Sequence, residues 1–318
     1  MSGLVFAIPS KGRLKEQVEA WLTDAGFRLE MAGGARGYRA SLNGLPGAEV
    51  RLLSADDIAG AVDAGEVHVG VTGEDLLREP GEGLEERVML LRALGFGRAD
   101  LVVAAPKSWI DVETMADLDE VAHLHMARSG RRMRVATKYL AQTRRFFSDH
   151  GVADYRIVES GGATEGAPAS GQAELIVDIT TTGATLEANS LKVLSDGVIL
   201  KSQAQLAASL DADWTAERLE AVRRLLSVVE ARARAKGVAT LVWPAEQDKA
   251  ADKVAAEFVK RGASRRANGL LVAEADLFEA TEALARAGVG PVTAAQPSYV
   301  FEPVCEAADA LAARVRLP

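Results

Sequence analysis

The stretch IVDITTTGATLEAN, Ile176 to Asn189, decides how this chain is read. It opens with apolar and β-branched residues and reaches an acid at Asp178. It then crowds Thr180, Thr181, Thr182 and Thr185 around Gly183, before a tail of helical composition. A buried strand that turns through such a loop into a helix makes an anion site. The first N–H groups of a helix lack internal partners, and the helix dipole adds positive potential there. Gly183 lets the backbone approach a ligand, and the hydroxyls of Thr181, Thr182 and Thr185 can donate to phosphate oxygens. Asp178, at the strand's end, can accept from sugar hydroxyls or hold a metal through water. The loop thus suits a phosphorylated sugar. A plain strand–helix turn with a threonine cap has the same appearance.

Outward from this segment, short apolar runs alternate with helical patterns. LVFAIP (Leu4 to Pro9), EVRLLS, VHVGVTG, ADLVVAAP, MRVAT and ELIVDI read as strands. Leu14 to Gly26 carries Leu14, Val18, Trp21 and Leu22 at helical spacing and ends on a glycine; KYLAQTRRFFSDHG is a second helix pattern. This alternation predicts an α/β fold with mostly parallel sheets covered by helices. Asp213 to Lys236 reads as a long amphipathic helix with Leu219, Val222, Leu226 and Val229 on one face, ending in the linker-like ARARAKG. After Gly237 the pattern restarts with strand VATLVWP, a helix, strand NGLLVAEA, a helix, strand VGPVTAAQ and a last helix EAADALAARV. Only ASRRAN separates Gly262 from Gly269, so the small module is expected to be βαβαβ plus a terminal helix.

The 318 residues are 48% hydrophobic and 26% charged, the balance of a soluble globular chain with about two or three domains. A net charge of -8 argues against a general nucleic-acid surface, which needs a basic face, and leaves room for a local basic pocket. Cys305 is the single cysteine, so no intrachain disulfide forms. No apolar run is long enough to span a bilayer, and MSGLVFAIPSKGRLK lacks a secretory-signal pattern. A cytoplasmic location, with no nucleic-acid or membrane partner, is expected.

The longer segment ESGGATEGAPASGQAELIVDITTTGATLEANSL resembles the phosphoribosyl-diphosphate (PRPP) segment of ATP phosphoribosyltransferase, the first enzyme of histidine biosynthesis. The matching residues are Gly162, Glu165, Ala167, Pro168, Asp178, Thr182, Gly183, Thr185, Leu186 and Asn189. PSKGRL (Pro9 to Leu14), DDIAGAVDAGEVHVGVTGED, LGFGRADLVVA and RVATKYLAQTRRFFSDHG resemble further segments of that family, in the same order. The likeness runs from Leu4 to about Leu206. His68 and Glu174 stand where the family usually has Asp.

The resemblance implies transfer of ribose 5-phosphate from PRPP to the adenine ring of ATP, with release of pyrophosphate and with Mg2+ as cofactor. It implies a two-lobed core like that of periplasmic binding proteins, followed by a small ferredoxin-like α/β domain. One catalytic lobe would span 1–94 plus 197–208 and the other, with the PRPP loop, 95–196. Residues 209–236 would be a connecting helix and linker, and 237–318 a regulatory or oligomerisation domain. Thr181, Thr182, Gly183, Ala184 and Thr185 would hold the 5-phosphate. Asp178 would take the ribose hydroxyls, directly or through Mg2+. Lys11 and Arg13 would meet phosphates of PRPP or ATP; cations at a helix start oppose its dipole unless an anion joins them. Thr72, Gly73 and Asp75 would line the cleft near the nucleotide, with a capped strand-end turn as the plain alternative. Glu165 would orient PRPP or take the proton lost by adenine. A homo-oligomer, with histidine as feedback inhibitor, is also implied. The strand pattern equally suits a non-enzymatic two-lobed small-molecule-binding protein, and the PRPP loop suits a phosphoribosyltransferase with another acceptor.

Other features read more simply. His123 and His125 share a face if their segment is extended, and are taken as ordinary histidines of a partly buried strand. SGRRMR (Ser129 to Arg134) is taken as a solvated basic loop, and GGARGYR near Gly33 as a surface turn or a flap by the cleft.

Overall fold

The computed structural model describes residues 3–32 and 38–317. Most of GGARGYR lies outside the described residues. The chain begins with β1 (Val5–Pro9), buried along its whole length, followed by α1 (Gly12–Asp24). β2 (Arg28–Met31) and β3 (Arg39–Asn43) form an edge hairpin. Then come β4 (Glu49–Leu53), α2 (Ala55–Asp63), β5 (Val69–Gly73), α3 (Glu74–Arg78), α4 (Leu84–Arg87) and β6 (Val88–Ala93). The chain crosses to a second sheet through β7 (Ala99–Pro106), α5 (Met115–Ser129), β8 (Met133–Thr137), α6 (Leu140–Asp149), β9 (Tyr155–Glu159), β10 (Leu175–Thr180), α7 (Ala184–Ala188) and β11 (Leu191–Ser202). It returns at Gln203, and β12 (Ala204–Ser209) completes the first sheet.

The first sheet has the order β2-β3-β4-β1-β5-β12-β6 and the second β11-β7-β10-β8-β9. β4, β1 and β5 run parallel, as do β10, β8 and β9. The crossing strands β12, β6, β7 and β11 pair antiparallel, because each passes directly from one sheet to the other without a crossover helix. The sheets are therefore mixed, not mostly parallel. The return also comes later than expected: residues 197–202 stay in the second sheet as the end of β11. The two crossings run side by side, with Leu94 N–H donating to Ala204 O, Ala204 N–H to Phe96 O, and Gly95 N–H to the Gln203 side chain.

ARARAKG is not a linker down to its last residues. α8 (Ala216–Ala235) absorbs most of it, burying Val222, Leu226 and Val229. The small domain then follows as β13 (Val238–Val242), α9 (Asp248–Lys260), β14 (Ser264–Arg266), β15 (Gly269–Ala273), α10 (Leu277–Arg286) and β16 (Thr293–Ala295), with antiparallel order β14-β15-β13-β16. This is the ferredoxin-like arrangement. β14 corrects the expectation that ASRRAN holds no strand. It is a short edge strand with charged arms and no apolar alternation to announce it. Arg265 pairs with Asp248 at 2.7 Å and lies 5.2 Å from the Trp243 ring. Charge on an edge strand also discourages pairing with another chain.

The last helix, α11 (Glu306–Arg314), does not finish the small domain. Cys305, Ala308, Leu311 and Val315 are buried in the core of the first lobe, together with residues of α8. The segment leading to it is strapped to the same lobe. Val300 N–H donates to Ala231 O at 2.9 Å, Arg232 joins Asp24 to Ser298 O, and Arg223 pairs with Asp309 at 2.6 Å. The small domain is thus inserted between two elements of the first lobe.

His68 is buried at the amino end of β5, beside the first residue of β1. Its Nδ1 accepts from Val5 N–H at 3.1 Å, which leaves Nε2 to donate to Asp213 O at 3.0 Å. Trp214 meets the ring edge-on at 5.1 Å. Burial first, and the Arg218 charge after it, lower its pKa. Glu174 receives Arg134 Nη2 at 2.6 Å and Arg134 N–H at the same distance. His123 and His125 lie on α5, a helix, so the extended reading of that segment does not hold. Among the described residues no group of three acidic, histidine or cysteine side chains is arranged to hold a metal, and no helix is long and apolar enough to cross a membrane.

Candidate active site

The parallel strands of both lobes end at the cleft between them. Contacts across the cleft show that these ends face each other. Lys138, just after β8, pairs with Asp56 in the first turn of α2 at 3.0 Å. Tyr139 donates to Asp75, and Gln142 Nε2 donates to Asp75 O at 2.8 Å. Glu79 accepts from Ala141 N–H at 2.8 Å. In open α/β sheets, ligands bind outside the carboxyl ends of the strands.

Asp178 stands in β10, near its cleft end, and is half-buried. Its Oδ1 accepts from the neighbouring Ile179 N–H at 2.8 Å. Burial raises its pKa above the ordinary carboxylate value and the Glu165 charge adds to this, while the Ile179 hydrogen bond and Lys138 oppose it. β10 pairs with β8, which ends just before Lys138, and contacts the turn that holds Glu165, so the three residues lie in one neighbourhood. Glu165 sits in the short turn Thr164–Gly166, which Ala163 enters at φ 50°. Lys138 was not singled out from the sequence. Its signals are its place directly after the apolar strand MRVAT and within the segment RVATKYLAQTRRFFSDHG.

The threonine loop keeps its own backbone in order. Gly183 has φ 76°, a conformation that strains other residues. Its N–H donates to Thr180 Oγ1 at 2.9 Å, and Ala184 N–H donates to Thr182 Oγ1 at 3.4 Å. Thr181 donates to Arg98 O at 3.2 Å. Among the described residues the N–H groups of Thr182 and Thr185 make no hydrogen bond. α7 spans only Ala184–Ala188, so the helix dipole expected at this loop is small; hydroxyls and free N–H groups are what it offers an anion. Thr180, which shapes the loop, was not among the sequence candidates.

Lys11 is the N-cap of α1, makes no side-chain cap, and is followed by a first turn without acid. Lys11 and Arg13 are exposed, and among the described residues neither forms an ion pair. The contrast with α2 is informative. There Ser54 accepts from Asp57 N–H at 3.1 Å, and Asp56 and Asp57 complement the dipole. A Cβ added at Gly97, on the crossing, would stand 3.0 Å from Leu14 Cδ1, which places the start of α1 against the crossing.

Thr72 and Asp75 are placed differently from Lys11 and Arg13. Thr72 is fully buried and donates to Ala55 O at 2.7 Å, fixing the start of α2. Asp75 is buried and receives Ser202 Oγ–H at 2.7 Å as well as Tyr139. A Cβ on Gly73 would lie 2.3 Å from Asp75 Oδ1, so the glycine makes room for that carboxylate. The polar groups of Thr72 and Asp75 are spent inside the protein.

A family profile described as HisG: ATP phosphoribosyltransferase matches residues 54–231. The chain is 73% identical over 299 residues to an ATP phosphoribosyltransferase of Caulobacter vibrioides (strain NA1000 / CB15N), a match covering 94% of this chain and 93% of that relative. It is 60% identical over 236 residues to an ATP phosphoribosyltransferase of Bradyrhizobium sp. (strain ORS 278), covering 74% of this chain and 73% of the relative. Among solved structures it is similar to the ATP phosphoribosyl transferase (HisG:HisZ) complex from Thermotoga maritima. The TM-score is 0.54 at 25% identity, covering 71% of this chain and 98% of that one.

Proposed function

The chain belongs to the ATP phosphoribosyltransferase family, and from this we infer that it transfers ribose 5-phosphate from PRPP to the adenine ring of ATP, releasing pyrophosphate, in histidine biosynthesis. Family membership sets aside the non-enzymatic reading. One structural observation supports the placing of the reaction: a half-buried Asp178 with a single local hydrogen bond, beside a hydroxyl-rich loop, at the cleft end of a parallel strand.

In this reading Thr182, Gly183, Ala184 and Thr185 hold the 5-phosphate through hydroxyls and backbone N–H groups, and Thr181 braces the loop on Arg98. Asp178 accepts from the ribose hydroxyls. An adenine nitrogen attacks the ribose C1 as the C1–O bond to pyrophosphate breaks, so positive charge develops on the sugar and negative charge on the leaving group. Asp178 faces that positive charge. Lys11 and Arg13, with an uncompensated helix start behind them, attract phosphates of PRPP or ATP. Glu165 orients PRPP or receives the proton lost by the alkylated adenine. Thr72, Gly73 and Asp75 act behind the nucleotide, holding α2 and the lobes in register.

The chemistry at Asp178 fits Mg2+ as an ion delivered with the diphosphate: the half-buried carboxylate uses only Oδ1, on Ile179 N–H, and among the described residues no group of three ligands forms a resident metal site. When bound, the cation supplies charge stabilisation for pyrophosphate. We also read the protein as a cytoplasmic homo-oligomer inhibited by histidine through its small domain.

The test is incubation of the protein with ATP, PRPP, Mg2+ and pyrophosphatase, followed by mass spectrometry. Phosphoribosyl-ATP, lost on Asp178→Asn or Thr185→Val, is the expected result. PRPP binding without that product would point to another acceptor.

A further inference from the structure

Lys138 stands at the cleft between two carboxylates from different lobes. Its ammonium pairs with Asp56 Oδ1 at 3.0 Å, across the cleft. On its own lobe, it directly follows β8, the strand paired in parallel with β10, which carries Asp178. The Lys138 side chain is 33% exposed and that of Asp56 63%. An ion pair this open is held weakly, because water screens it and two flexible side chains must be fixed to form it.

The two partners are not equally committed to each other. Asp56 suits its position without the lysine, since an acid in the first turn of α2 complements the helix dipole. Among the described residues Lys138 forms no ion pair other than the one with Asp56, and the Tyr139 ring lies 5.1 Å from its ammonium. A multiply charged phosphate group binds an ammonium more strongly than one exposed carboxylate does. Lys138 is also placed beside Asp178, where the ribose and its leaving group would lie.

We propose that Lys138 is a phosphate-binding residue of the reaction, exchanging its Asp56 partner for the diphosphate of PRPP. This rests on the PRPP-dependent function inferred above. Asp56 then competes with substrate for the lysine, so substitutions of the two partners act in opposite directions.

Calorimetric titration of the full chain with inorganic pyrophosphate and with PRPP, each with Mg2+, tests this. Lys138→Met is expected to weaken both by about tenfold or more, the loss of a charge-assisted hydrogen bond. Lys138→Arg should restore most of the affinity. Asp56→Asn is expected to tighten both by about two- to fivefold, the release of a weak surface pair. Unchanged affinity in Lys138→Met, or weaker binding in Asp56→Asn, overturns the proposal. Asp56→Asn leaves the lysine in place and carries the test even where Lys138→Met fails to fold. A wild-type protein that binds neither ligand overturns the functional inference as well; wild-type binding matched by Lys138→Met overturns this proposal alone.

Discussion

Tyr139 donates its hydroxyl to Asp75 Oδ2 at 2.5 Å, across the boundary between the two catalytic lobes. Ser202, the last residue of β11, donates to the other oxygen at 2.7 Å. One buried carboxylate thus ties together α3, the start of α6 and the end of β11. Burial, and then the Asp75 charge, raise the phenol's pKa far above its usual range, so Tyr139 remains a donor. Tyr139→Phe should cost about 1–3 kcal/mol in urea unfolding, because a buried acceptor loses one of its two donors. A midpoint equal to wild type would contradict that role.

Asp178 is expected to trade stability for activity. Burial and the Glu165 charge raise its pKa in the folded protein, so the folded state binds this proton more tightly than the unfolded chain. Its contribution to stability therefore falls as pH rises from the unfolded value towards the folded one, and at neutral pH its charge is a cost. Asp178→Asn should raise the unfolding midpoint while lowering turnover about a hundredfold or more. Thermal unfolding and product formation, measured on the same preparation, check both halves.

His68 gives the opposite slope. Its pKa is lowered in the folded protein, chiefly by burial. Its contribution is fully present above about pH 6.5, the unfolded value, and is lost as pH falls through that value towards the folded one. Protonation of Nδ1 would also remove the acceptor that Val5 N–H uses. Urea unfolding above and below about pH 6.5 should show the decline. His68→Gln, which does not titrate, should flatten it whatever its effect on overall stability.

Truncation after Lys236 should give an unstable protein, because it removes α11 from the first lobe's core. Loss of Leu311 packing alone is worth about 2–5 kcal/mol. Deletion of residues 237–295 alone, with α8 joined to the strap through a short linker, should leave a folded core. The ends of the insertion lie close together, as the bond from Val300 to Ala231 shows. Circular dichroism and urea unfolding of the two forms compare them. Histidine inhibition is then best sought in the internal deletion, where its loss would assign the effector to the small domain.

The two-lobed α/β fold was legible because its strands are short apolar runs and its motifs keep their order. The placement of Asp178 at the cleft end of a strand was legible for the same reason. Other features were hidden by physics that a linear pattern does not carry. β14 is short, charged and stabilised by pairing and by the Arg265–Asp248 contact, so no hydrophobic period marks it. α11 has an apolar face like any terminal helix, and nothing in its residues says which core it joins. Asp75 looked like a ligand-facing acid; only the approach of Tyr139, distant in sequence, shows where its hydrogen bonds go.

The insertion of the small domain also sets an order of events during synthesis. The first lobe draws its core from the start of the chain, from β12 and α8, and from the closing residues around Leu311. The second sheet and the small domain are each built from continuous stretches of chain. On a ribosome that delivers the N-terminus first, these two units emerge whole and can fold before the lobe that began first. That lobe stays open until the final helix is released, so a chain stopped short would leave its oldest part unfinished.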